Sequence, residues 1–245
     1  MSEPNDVATK SGRKSDQTLD SRLSRTLILE IIDSHYPPGA WLREQEISSR
    51  HGVSRASVRE ALRTVARAGF VEMKPWRGAQ VVEYSVKEML DVFRLLEELY
   101  GQCARLAAEQ FPDELLGRLD LLLKELEEKV MDKGGQLELY GLSFGLGQFI
   151  GRHSGSQLAY RMLVQAASLA LWQQRLLRPG NSVSEQQSLL AHKLLVSAIK
   201  ERQPEVADAA ARMIVMITRH SLHAVQQAAE SVEVRGRAAD SGDGK

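Results

Sequence analysis

The chain has 245 residues, of which 43% are hydrophobic and 26% are charged, with 32 basic and 32 acidic side chains. This composition excludes an intrinsically disordered protein, and the length favours two folded domains over one. Because the formal net charge is zero, overall charge gives no argument for binding to nucleic acid.

The N-terminal part of the chain predicts a tail followed by three helices. Residues 1–17 are polar and have no apolar core, so we expect a disordered tail and not a signal peptide. From residue 19, apolar residues recur every three or four positions until Pro37-Pro38-Gly39, which predicts an amphipathic helix. A short helix over 44–51 ends at Gly52, and Ser54 is a suitable N-cap for a helix that runs to residue 68.

The helix that begins after Ser54 has one apolar face and one basic face. Its apolar residues fall at helical spacing, and Arg55, Arg59 and Arg63 form a row on another face. Between residues 43 and 77, eight basic residues stand against four acidic ones, a local excess of +4. Two helices around a tight turn suggest a helix-turn-helix, whose second helix enters the major groove of DNA. A solvated helix face explains the arginine row alone equally well.

The individual residues of this helix are expected to have different roles. Arg55 is the best candidate for pairing with guanine, because arginine can donate two hydrogen bonds to O6 and N7. Ser54, Ser57 and Arg59 are expected to reach base edges or phosphates, and Arg63 to serve phosphates or the solvated surface.

The next segment predicts a β-hairpin. The runs 70–74 and 79–82 are separated by Pro75-Trp76-Arg77-Gly78, so the hairpin forms the wing of a winged helix-turn-helix. Trp76 and Arg77 at its tip are candidates for minor-groove contact, and Gly78 for a close approach of backbone to phosphate. Ordinary hairpin-turn chemistry is the simpler explanation of Gly78.

The rest of the chain predicts only helices. Six helical patterns span roughly 86–109, 113–133, 136–152, 156–178, 185–202 and 204–230, so we expect a six-helix bundle. The predicted domains are 18–83 and 84–232, and 233–245 is expected to be a second disordered tail. The single cysteine, Cys103, excludes an internal disulfide, and no stretch has the roughly 18 apolar residues of a membrane span. We therefore expect a cytoplasmic protein with no membrane partner.

Residues 19–83 closely resemble the DNA-binding domain of the GntR family of bacterial regulators. The resemblance rests on GVSRASVREAL, the following AGFVE and a wing with glycine at its tip. It implies that Arg55 and Arg59 occupy DNA-contacting positions of the family. Gln45 stands where many members have an arginine in the first helix of the motif, so operator preference is expected to differ at the base that this arginine would read.

Residues 88–220 resemble, more weakly, the helical FCD effector domain of the FadR-type subfamily. That subfamily often binds a divalent metal through an Asp and a His four residues apart and two later His. This chain has Gly141, Gly145, His192 and Ile214 at those positions. Since one ligand of four cannot hold a metal, we expect no metal cofactor. Leu96 and Tyr100 replace a family Arg and Glu, so the resemblance implies a more apolar effector pocket around these six residues.

Two features of the predicted pocket stay open at this stage. His192 lies on the inward face of its helix, where it is either a hydrogen-bonded core residue or a ligand-binding group. Gly141, Gly145 and Gly147 in one helix cost about 1 kcal/mol each relative to alanine. Either neighbouring helices approach closely there, or the missing side chains open volume for an effector.

The combined expectation is a mainly α protein that regulates transcription. A homodimer would place two recognition helices on a palindromic operator in double-stranded DNA. A small-molecule effector in the C-terminal domain would alter operator affinity. The first alternative is an architectural DNA-binding dimer with no effector. The second is a helical metal-dependent enzyme. The sequence argues against it, because it contains no dense cluster of Glu and His residues and no nucleophile elbow.

Overall fold

A computed structural model describes residues 22–75, 77–132, 135–177 and 182–240. Its contacts divide the chain into two units between Glu83 and Tyr84. The expected N-terminal tail and Trp76 lie outside the described residues. Within the described ranges, no helix has the length and apolar character that crossing a membrane requires.

The first unit is a winged helix-turn-helix. Its helices are α1, described over 22–32, α2 (Glu44–His51) and α3 (Arg55–Arg67), and its strands are β1 (Trp41–Leu42), β2 (Val71–Lys74) and β3 (Gly78–Val81). The strands form an antiparallel sheet in the order β1-β3-β2, with Val71 opposite Val81 and Lys74 opposite Gly78. The predicted hairpin is therefore the wing, and β1 is an addition that two residues were too few to reveal.

The ends of α2 and α3 follow from local chemistry. Gly52 ends α2 in the left-handed conformation (φ 65°), which glycine adopts without a steric cost. The Ser54 hydroxyl caps α3 by accepting a hydrogen bond of 3.1 Å from the Ser57 amide. The buried side of α3 packs against α2 and β2 and consists of Val58, Ala61, Leu62 and Val65.

The second unit consists of six helices in its described part. They are α4 (Val86–Gln110), α5 (Leu116–Met131), α6 (Gln136–Arg152), α7 (Gln157–Leu177), α8 (Ser182–Lys200) and α9 (Pro204–Asp240), with a single 3-10 turn at Asp113–Leu115. The predicted fold class is thus confirmed. A capping box between Ser85 and Glu88 fixes the start of α4.

Helix α4 is central to this bundle because it packs against α6, α7, α8 and α9. Its buried residues include Ala104, Ala107 and Ala108. Gly101 makes room for a charged pair on α9, since a Cβ at this position would lie 2.3 Å from Asp208 Oδ1 and 2.7 Å from Arg212 Nε. Cys103 of α4 is also fully buried in the bundle, and this burial raises the pKa of its thiol to about 11.

The C-terminal end of α9 differs from the sequence-based expectation. We predicted irregular chain from residue 233, whereas the helix continues to Asp240. The segment 230–240 contains Glu, Val, Arg and Ala, and one glycine at 236. One glycine costs about 1 kcal/mol in a helix, which the other residues and the preceding turns can offset.

Candidate nucleic-acid interface and effector cavity

The first candidate site is the exposed side of α3 together with the wing. Arg55, Arg59 and Arg63 are all exposed, as are Ser54 and the wing-tip residue Arg77. Ser57 is half-buried, because its backbone amide and its hydroxyl both contact the Ser54 hydroxyl. Since the opposite side of α3 is buried, the arginine row is presented to solvent by a firmly packed helix.

Arg55 and Arg59 differ in how they are held. Among the described residues, the Arg55 side chain forms no hydrogen bond or ion pair. Arg59 forms a two-pronged ion pair with Glu44 at the start of α2, in which Nε and Nη2 donate to the two carboxylate oxygens at 2.9 and 2.8 Å. These hydrogen bonds from Arg59 lower the pKa of Glu44. Arg63 pairs with Glu60 of its own helix.

A basic groove runs between α3 and the wing. Five basic side chains and one acidic side chain, Glu44, line it together with Gln45, Met73, Pro75 and Gly78. The basic residues are Arg43, Arg59, Arg63, Lys74 and Arg77. A concave surface with this charge attracts an anionic backbone. The structure therefore brings the predicted Gln45, Arg59, Arg63, Arg77 and Gly78 together, and places Arg55, Ser54 and Ser57 at the start of α3 beside them.

Gly78 has a structural reason to be glycine. Its φ is 97°, and a Cβ would lie 2.9 Å from the carbonyl oxygen of Leu42 in β1. The positive φ and the close approach of β1 and β3 both require glycine here, and contact of Gly78 with phosphate stays a prediction. The sequence pattern does not single out Arg43, Glu44 or Lys74 as site residues, although Arg43 and Lys74 belong to the local excess of basic residues.

The second candidate site consists of two neighbouring cavities in the helical unit. The first, called the apolar cavity, has a volume of about 70 Å³ and is lined from α4, α6, α7 and α9. Its walls include the predicted Leu96, Tyr100 and Ile214. The second, called the hydroxyl-lined cavity, also measures about 70 Å³. The two share Tyr140, Ser143, Gln174 and Thr218.

His192 is a buried residue behind these cavities. Its Nδ1 lies 2.7 Å from the Ser188 carbonyl oxygen, and its Nε2 lies 3.0 Å from Ser143 Oγ. Burial lowers the pKa of His192 to about 4, and the Ser188 carbonyl opposes this shift only in part. His192 is thus a neutral, hydrogen-bonded core residue whose neighbours Ser143 and Ser188 line the hydroxyl-lined cavity.

The predicted glycines behave differently from one another. A Cβ at Gly141 or Gly145 would meet no atom within 4 Å, so close helix packing does not explain them, and neither residue lines the two cavities. Gly147 does line the apolar cavity, and a Cβ there would be 3.3 Å from the Tyr100 ring. Sequence reasoning did not find the other lining residues, such as Phe93 and Thr218, although they lie one helical turn from Leu96 and Ile214.

These residues do not fit a metal ion. Gly141, Gly145 and Ile214 offer no side-chain donor atom, and both ring nitrogens of His192 already have hydrogen-bond partners. In the described ranges, no group of three or more His, Cys, Asp and Glu side chains is arranged to hold a metal.

Comparison with known proteins gives matches over both units. The model of bacterial regulatory proteins of the gntR family matches residues 19–81, and that of the FCD domain matches residues 91–216. The probable D-xylose utilization operon transcriptional repressor of Paenarthrobacter nicotinovorans is 27% identical over 209 residues, which cover 78% of this chain and 83% of that protein. The transcriptional repressor RspR of Escherichia coli K12 is 28% identical over 126 residues, covering 50% of this chain and 55% of RspR.

Solved structures show the same fold. That of E. coli McbR/YncC superposes with a TM-score of 0.70 at 20% identity, covering 85% of this chain and 97% of the other. A GntR regulator of Rhodococcus sp. RHA1 superposes with a TM-score of 0.63 at 17% identity, covering 85% and 98%.

Proposed function

The chain belongs to the gntR family of bacterial regulatory proteins with an FCD domain, and from this premise we propose how it controls transcription. It is a transcriptional regulator and not an enzyme. A homodimer holds a palindromic operator through Arg55 and Arg59 of each α3, and a small molecule in the helical unit alters operator affinity. Two relatives named as repressors support repression as the direction of control.

The observation that carries the DNA-binding proposal is the arrangement of α3. One side of this helix is buried in the unit, and the other presents Arg55 beside a groove with five basic side chains. A helix held in this way can enter the major groove, while the wing and the groove contact phosphates. Arg55 has no partner among the described residues, so its donors are available for a base.

The experiment is operator binding by Arg55→Ala at fixed salt concentration, on a site found first by genomic footprinting. We expect a loss of roughly tenfold or more in affinity for the operator, because one arginine-guanine pair contributes about 1–3 kcal/mol of discrimination. Arg118→Ala is the matched control, since Arg118 is exposed on α5 in the other unit and forms no pair among the described residues. Equal operator affinity of Arg55→Ala and the control would contradict the assigned role of α3.

The effector part of the proposal is supported by the two cavities. Space between the helices gives a small molecule a place to bind, and a domain that only dimerises does not need such a space. We propose that this site works without a metal, since the residues at the ligand positions offer too few donors. Elemental analysis of the purified protein tests this point, and stoichiometric zinc, nickel or manganese would contradict it.

The homodimer is supported by exposed apolar residues on α4 and α7, two helices that pack against each other. Leu95, Leu158 and Met162 are 52%, 61% and 47% exposed. Apolar side chains on neighbouring helices favour association with a second copy. We place the dimer in the cytoplasm, where a regulator meets its operator.

A further inference from the structure

The lining of the apolar cavity is uncharged. Its described walls are aliphatic and aromatic side chains, two hydroxyls and two amides in addition to Tyr100 and Tyr140, and they include no Asp, Glu, Lys, Arg or His. A carboxylate entering this space would lose its hydration and meet no cation, which is costly. The polar chemistry of the cavity therefore comes from hydroxyls and amides, and the surroundings of two hydroxyls show what each can donate or accept.

Tyr100 is the first of these hydroxyls. The residue is 5% exposed and lines the cavity, and its hydroxyl has no hydrogen-bond partner among the described residues. The ring lies against Gly147, with Oη 3.4 Å from where a Cβ of residue 147 would be. A buried hydroxyl without a partner is costly unless another group pairs with it, and Tyr100 has a hydrogen to donate to such a group.

The second hydroxyl is that of Ser143, and His192 determines whether this hydroxyl donates or accepts a hydrogen bond in the cavity. A carbonyl oxygen only accepts, so the contact with Ser188 requires His192 Nδ1 to carry the hydrogen. The neutral ring then has Nε2 as an acceptor, and the Ser143 hydroxyl donates its one hydrogen to it. Ser143 Oγ is left with lone pairs only, and Ser143 lines the apolar cavity as well as the hydroxyl-lined one.

Tyr100 and Ser143 both line the apolar cavity. Gly147, against which Tyr100 lies, is one turn beyond Ser143, a rise of about 6 Å along α6. A hydrogen bond spans about 2.8 Å between heavy atoms, so two hydrogen bonds to one alcohol or primary amide group together span about the length of this turn. The volume of about 70 Å³ corresponds to roughly five water-sized groups, since one such group needs about 10–15 Å³.

We propose that the apolar cavity binds a small uncharged molecule, with a short apolar body and one group that accepts a hydrogen bond from Tyr100 and donates one to Ser143. Primary alcohols and primary amides share this chemistry, and carboxylates lack the hydrogen that Ser143 requires. This inference rests on the effector site of the proposed function and names the class of its ligand.

The test is calorimetric titration and thermal shift of the purified full chain at pH 7 with three matched series. These are straight-chain primary alcohols, primary amides and carboxylates of three to six carbons. We expect alcohols or amides to bind at least about tenfold more tightly than carboxylates of the same length, and the comparison of the two neutral series identifies the head group. Tyr100→Phe should weaken neutral ligands about two- to tenfold. Tyr160→Phe, which removes an exposed hydroxyl bonded to Arg152, should leave their affinity unchanged.

Ser143→Ala provides a second variant, with Ser168→Ala as its control because the Ser168 hydroxyl bonds within α7 and lines neither cavity. Only the first should weaken neutral ligands. Carboxylates that bind as tightly as the neutral series would overturn the inference and leave the effector site standing. Absence of binding by all three series would overturn both, while the Arg55→Ala measurement would still decide the DNA-binding function separately.

Discussion

At the scale of single residues, the same side-chain type acquires different properties from its partners. Arg55 and Arg59 lie four residues apart on α3, yet only Arg59 is fixed by a carboxylate of another helix. The helical period was enough to place both on one exposed face. It gave no information on Glu44, because that contact depends on how α2 packs against α3 and not on spacing along the chain.

His192 gives a prediction about pH. Burial lowers the pKa of His192 to about 4, so in the native protein His192 stays neutral until the pH approaches 4. In the unfolded chain, His192 binds a proton below about pH 6.5. The stability that neutral His192 contributes is complete above pH 6.5 and is lost as the pH falls towards 4. Between pH 7 and 5 we expect a contribution of about 2 kcal/mol to the loss of unfolding free energy.

Urea unfolding at both pH values measures this effect. His192→Asn should show a smaller decrease in unfolding free energy than the unsubstituted chain. His220→Asn should show the same decrease in unfolding free energy as the unsubstituted chain, since His220 is exposed on α9. An equal decrease in His192→Asn and the unsubstituted chain would mean that His192 is protonated in the native state at pH 5.

At the scale of elements, the signals that predicted the fold were local. Gly52 and Ser54 predicted the turn between α2 and α3, whereas the capping of α4 by Ser85 and Glu88 was seen only in the structure. The strand β1 could not be predicted, since two residues form no pattern and the strand exists through pairing with β3. The cavities could be predicted only in part. The family resemblance pointed to Leu96, Tyr100 and Ile214, but the other lining residues are brought together by the packing of four helices, which the sequence pattern does not show.

The pair formed by Glu44 and Arg59 connects α2 to the recognition helix and gives a second prediction. Glu44→Gln removes the charge that orients the Arg59 guanidinium, so Arg59 becomes free to bind any phosphate. We expect binding to nonspecific DNA to become tighter, and the ratio of operator to nonspecific affinity to fall by about threefold or more. Fluorescence anisotropy on both DNAs at two salt concentrations measures this.

Glu60→Gln is the matched control for this change. It removes the same charge from α3 and releases Arg63, which was assigned to phosphates. Binding of Glu60→Gln to nonspecific DNA should again become tighter, while the ratio of operator affinity to nonspecific affinity should fall less than in Glu44→Gln. Identical ratios for the two variants would show that net charge alone is responsible.

At the scale of the whole molecule, the exposed apolar residues of α4 and α7 are the proposed contact between two copies of the chain. Leu158→Glu places a charge where a second copy is proposed to dock, and a buried charge without a partner strongly disfavours association. Light scattering over a range of concentrations should find the dimer at higher concentrations only, or not at all. Operator affinity should fall as the dimer is lost, since each separate protomer would then bind only one half-site.

Leu121→Glu is the control for this variant. Leu121 is 57% exposed, close to the value for Leu158, but lies on α5. It should leave both the dimer and the operator affinity unchanged. If Leu121→Glu dissociated the dimer and Leu158→Glu did not, the contact between copies would lie on another face of the bundle.

The state of Cys103 makes the chain convenient for spectroscopy. Maleimides react with thiolates, and a thiol that is fully buried and has its pKa raised to about 11 presents almost none. A cysteine introduced at the exposed Arg25 of α1 would therefore accept a fluorophore without replacement of the native residue. In the proposed dimer, one such label on each copy forms a donor and acceptor pair. Energy transfer between the two labels would then report how far apart the two heads move when an effector is added.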